Sequence, residues 1–130
     1  MDMPQKKHRI LFVDDDPAAV SLVSEYLSEW FEVEVATTGE EAVLSCLKAP
    51  PALVLMDLMM PRSTNYEGDE AIQRLTTDPK TSAIPIIVQT GFSGARILLL
   101  VQQAPNIVGV LMKPYDLALM KKKIDVILNR

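Results

Sequence analysis

Four short apolar runs each end in side chains suited to phosphate or cation chemistry. Ile10-Leu11-Phe12-Val13 ends in Asp14-Asp15-Asp16. Leu53-Val54-Leu55-Met56 ends in Asp57 and continues as Leu58-Met59-Met60-Pro61. The run from Ile84 to Gln89 ends in Thr90-Gly91, and the run from Ile107 to Met112 ends in Lys113-Pro114. Carboxylates held close together repel, by about 1 kcal/mol for two unit charges roughly 4 Å apart in water. Proton uptake or a hard cation relieves that repulsion. Oxygen ligands that leave room for waters suit Mg²⁺ or Mn²⁺. Lys113 can reach an anionic phosphoryl oxygen as a point charge. Thr90 can donate a hydroxyl, and Gly91 leaves the backbone open to close approach. Each feature alone has a plainer reading: a solvated helix start, a surface lysine, an ordinary turn. Their recurrence at four strand ends favours a site.

The elements that must position these side chains alternate along the chain. Pro17 suits the first turn of a helix, with Asp16 as its N-cap. Val20, Val23, Leu27 and Trp30 then recur at helical spacing. Phe31 to Ala36 alternates apolar and acidic residues, as an edge strand does. Thr38-Gly39-Glu40-Glu41 fits a capping box opening a helix through about Leu47, which Pro50-Pro51 stops. The apolar run into Asp57 reads as a core strand. Residues 62 to 67 form a polar loop, and Gly68 begins a helix with Ala71, Ile72 and Leu75 facing inward. Asp78-Pro79 ends it. Further helices are predicted from about Ser93 to Gln103 and from about Tyr115 to Asn129. Five βα units with right-handed crossovers give a doubly wound, five-stranded parallel sheet in a three-layer α/β/α sandwich. Ligands of such sheets bind at the carboxyl ends of the strands. Ile97-Leu98-Leu99-Leu100-Val101 is apolar around a whole helical circumference, more than a sheet can cover, so an exposed partner face is expected there.

A chain of 130 residues suits one domain, 1–130, with its core over about 8–129. Apolar residues make up 48% and the net charge is -4. The clusters Lys6 to Arg9 and Lys121 to Lys123 are too short for a basic field, so no direct nucleic acid binding is expected. Cys46 is the only cysteine, which excludes an intrachain disulfide and fits packing in a reduced, cytoplasmic setting. No stretch approaches the roughly 20 apolar residues of a membrane span, so no membrane insertion is expected. His8, the only histidine, reads as a surface residue before a strand.

Val13-Asp14-Asp15, Met56-Asp57 with Pro61 four residues on, Thr90 after the fourth strand and Lys113-Pro114 after the fifth together resemble a response-regulator receiver domain of two-component signalling. The resemblance covers nearly the whole chain and implies a flavodoxin-like (βα)5 fold. It implies that Asp57 is the phosphoacceptor, taking its phosphoryl group from a histidine kinase or a histidine phosphotransfer protein. It implies Mg²⁺ (Mn²⁺ as a substitute) bound by Asp15 and Asp57 directly, by the backbone carbonyl of Met59, and by Asp14 largely through water. Thr90 and Lys113 would hold phosphoryl oxygens. An output partner or a second copy would use the face of helix 93–103, strand 107–112 and helix 115–129. Such a protein assists its own phosphorylation and dephosphorylation but is not otherwise an enzyme.

The chain departs from the pattern in three places. Val110 stands three positions before the lysine, where the family usually has an aromatic switch residue. The loop after Pro61 is about three residues longer than usual before Gly68, which brings in Arg62, Ser63, Asn65 and Tyr66. Phe92 lies two residues after Thr90, where it could limit water access. Two other functions compete: a receiver-like interaction module that is not phosphorylated, and a haloacid-dehalogenase-type phosphatase. The phosphatase needs Asp-x-Asp with threonine or valine two residues on, and Ala18 stands there instead.

Overall fold

The computed structural model describes residues 7–58, 68–91 and 95–129. The elements are β1 (Arg9–Val13), α1 (Pro17–Leu27), β2 (Glu32–Ala36), α2 (Gly39–Lys48), β3 (Leu53–Asp57), α3 (Gly68–Thr77), β4 (Ile86–Thr90), α4 (Ala95–Gln103), β5 (Ile107–Met112) and α5 (Leu117–Leu128). All strand pairs are parallel, in the order β2-β1-β3-β4-β5. The order turns back between β1 and β3, where a doubly wound sheet opens its ligand crevice.

Side-chain alternation along the central strands builds two cores. Leu11, Val13, Val54, Met56, Ile86 and Val88 face α2 and α3, with Ile97 and Leu100 of α4 packed against them. Ile10, Phe12, Leu53, Leu55 and Ile87 face α1 and α5. β3 is buried along its whole length, as a strand covered on both faces must be.

The caps form as expected. Asp16 accepts from the Ala18 amide at 3.0 Å, and Thr38 accepts from the Glu41 amide at 3.0 Å. Glu41 completes its side of the box differently, accepting from the Thr37 hydroxyl at 2.8 Å.

Several element boundaries shift. β4 begins at Ile86 instead of Ile84, because Pro85 has no N–H for the ladder. α1 ends at Leu27, with Ser28 as C-cap, so Trp30 falls beyond the helix. α5 starts at Leu117 with Asp116 as N-cap, accepting from the Leu119 amide at 3.0 Å. Tyr115 is therefore a loop residue at the mouth of the sheet. The predicted start of the fourth helix at Ser93 lies outside the described residues, as do Met59 and residues 62–67. Among the described residues, no helix is long and apolar enough to cross a membrane.

Candidate functional site

Parallel strands bring their C-terminal ends to one edge, and that edge gathers the predicted side chains. Val13 lies opposite Met56, which places Asp14 and Asp57 one residue on along neighbouring strands. Asp14 and Asp57 are each 1% exposed. Ligand-type oxygens of Asp14, Asp15 and Asp57 all lie within 4.8 Å of one another. Three hard oxygen donors at that spacing fit an oxygen-preferring divalent cation. Lys113 Nζ stands 3.0 Å from Asp57 Oδ1. Thr90 is buried at the end of β4, and its carbonyl accepts from the Lys113 amide at 2.8 Å. That bond fixes the start of the Lys113 loop to the strand that carries the hydroxyl. Cation donors and an ammonium are thus assembled around one carboxylate, and Thr90 closes the neighbouring strand. Met59, whose backbone carbonyl is expected among the ligands, and Phe92 lie outside the described residues.

Three residues make contacts at the site that their place in the sequence does not foretell. Gly68, the first residue of α3, packs against the backbone just after β3. A Cβ there would lie 2.1 Å from the Asp57 carbonyl oxygen and 2.9 Å from Leu58 Cα. Only glycine lets α3 approach so closely. No local pattern signals this, because the two partners are joined by tertiary packing.

The second is Tyr115. Its hydroxyl donates to Asp14 Oδ2, while the Asp16 amide donates to Asp14 Oδ1 at 3.0 Å. The ring packs edge-on against Phe12 with centroids 6.2 Å apart, and Lys113 Nζ lies 5.7 Å from its centroid. Burial, then the hydrogen bond to Asp14, raises the pKa of Tyr115 far above its ordinary value, so the proton stays on the phenol. A hydroxyl on the aromatic two residues after Lys113 was the available signal.

The third is Gln89, opposite Asp57 in register. Its side chain is fully buried, and neither amide atom makes a hydrogen bond among the described residues. Val110 sits in β5 opposite Val88. A valine there has no ring to swing between two orientations.

Comparison with known proteins agrees with this geometry. Residues 10–125 match the family model of the response regulator receiver domain. Protein Rrf1 of Nitratidesulfovibrio vulgaris is 30% identical over 118 residues, which is 90% of this chain and 80% of that protein. Response regulator PleD of Caulobacter vibrioides is 36% identical over 87 residues, 66% of this chain and 18% of PleD, so the match spans a small part of that longer relative. The solved structure of chemotaxis protein CheY4 of Vibrio cholerae shares the fold, with a TM-score of 0.83 at 24% identity over 94% of this chain and 99% of that one.

Proposed function

Because the chain belongs to the response regulator receiver domain family, we propose that Asp57 accepts a phosphoryl group from the phosphohistidine of a histidine kinase or phosphotransfer protein. One observation carries this reading: Asp57 ends the fully buried central strand with two further carboxylates within 4.8 Å and an ammonium at 3.0 Å. An oxygen of Asp57 forms the new bond to phosphorus as the phosphorus–nitrogen bond breaks, and the imidazole leaves with its electron pair and takes up a proton. Little covalent work falls to other groups, so positioning and charge neutralisation dominate the rate.

Lys113 holds the carboxylate in place before transfer and follows the added negative charge afterwards. Thr90 donates its hydroxyl to a phosphoryl oxygen. Asp14, Asp15 and Asp57 would hold Mg²⁺, with the Met59 carbonyl as a further ligand. Its chemistry there is to neutralise the cluster and polarise the phosphoryl oxygens. On this reading the domain turns over no separate substrate, and its output is a change of partner affinity. α4, β5 and α5 present Leu98, Leu99, Met112, Leu119 and Val126 to solvent, an apolar surface suited to a protein partner or a second copy.

Incubation with acetyl phosphate and Mg²⁺ tests the proposal. The intact protein should gain the mass of one phosphoryl group, and Asp57→Asn should not. A wild-type chain that stays unmodified, and also takes no phosphate from a phosphorylated donor, would leave the non-phosphorylated interaction module as the better account.

A further inference from the structure

Tyr115 is the aromatic residue that follows Lys113-Pro114. In this chain it carries a hydroxyl, and the hydroxyl reaches across the sheet edge to a carboxylate 101 positions away in sequence. Asp14 is buried and both of its oxygens already accept a hydrogen bond, Oδ1 from the Asp16 amide and Oδ2 from the Tyr115 hydroxyl. Whichever oxygen faces a cation is therefore shared with a protein donor. The phenol ring is itself held, by its edge contact with Phe12 and by the nearby Lys113 ammonium.

We propose that the Tyr115 hydroxyl is a positioning group that orients Asp14 and takes part of its charge, so that hydroxyl and cation compete for the same carboxylate. The inference rests on the cation-binding reading of the Asp14, Asp15 and Asp57 cluster. Without a cation, three acids within 4.8 Å depend on nearby donors, and a hydrogen bond to a charged acceptor is among the stronger ones available. With a cation present, the same charge is offset a second time and the hydroxyl matters less. By linkage, removing the hydroxyl must then strengthen cation binding.

Tyr115→Phe keeps the ring and removes only the donor. Mn²⁺ binding to the full chain, read from the loss of the free-ion electron paramagnetic resonance signal, should tighten about three- to tenfold in this variant. In an Asp14→Asn background the same substitution should leave the Mn²⁺ affinity unchanged, since the shared group is gone. Thermal unfolding gives a second readout: the deficit of Tyr115→Phe against wild type should be largest in chelator and shrink with Mn²⁺. Equal or weaker Mn²⁺ binding by Tyr115→Phe, or an unchanged gain in the Asp14→Asn background, overturns the inference alone. Failure of the wild-type chain to bind Mn²⁺ overturns the cation-binding reading together with it.

Discussion

Gln89 shows what a single buried group costs at this site. Its amide lies beside Asp57 in register with neither atom hydrogen-bonded among the described residues. Burying an amide without partners costs about 1–3 kcal/mol. Gln89→Leu should therefore raise unfolding stability by roughly 1–2 kcal/mol, seen as a higher urea midpoint with an unchanged slope. Asp15 carries the opposite lesson. Its charge adds to two others within 4.8 Å, so Asp15→Asn should raise the melting temperature in chelator and abolish stabilisation by Mg²⁺. A lower melting temperature in chelator would mean that Asp15 stabilises the fold through its own contacts by more than its repulsion costs. At this scale the sequence is informative wherever a side chain ends a strand: Asp57, Thr90 and Lys113 are readable because each closes an apolar run. The Tyr115–Asp14 bond is not, since it joins loops 101 positions apart through a register that only the folded sheet defines.

Among the elements, α3 is the one whose placement depends on a missing atom. Gly68 stands where a Cβ would enter the Asp57 carbonyl, so a side chain must push α3 away from the end of β3. Gly68→Ala should cost about 3 kcal/mol and slow acetyl phosphate labelling as the acceptor carboxylate shifts. Normal stability with normal labelling would show that the helix start can give way freely. α4 behaves differently. Leu98 and Leu99 are 60% and 55% exposed, so replacing both with serine should change stability by less than about 0.5 kcal/mol each, measured by urea unfolding. The exposed face is legible because five consecutive apolar residues exceed what one helix can bury. The start of α5 lies two residues beyond the expected Tyr115, because Asp116 supplies the cap and leaves the tyrosine in the loop.

Over the whole molecule, pH reports how tightly the two cores close. Cys46 lies in the core facing α2 and α3, and burial pushes its thiol from 9.0 up to about 12. Tyr115, on the other face, is raised in the same direction. A group whose folded pKa is raised contributes stability below its unfolded pKa and loses it as pH climbs toward the folded one. Folding stability should thus fall from about pH 9 upward, and Cys46→Ala with Tyr115→Phe should flatten the decline in urea midpoint. Glu34 acts at the other end. Its hydrogen bond from Arg9 holds its pKa below 4.5, so its small surface contribution is present above that pH and fades as acid protonates it.

The fold has a last consequence, set by where α1 runs out. Trp30, the only tryptophan, sits near the start of β2, at the strand edge remote from Asp57. There it meets Tyr26 at 5.3 Å and the Lys121 ammonium of α5 at 4.7 Å. Its fluorescence is thus a native gauge of the seam between the first and last helices. Any change in that emission on acylphosphate formation would be a message that had travelled the length of a strand.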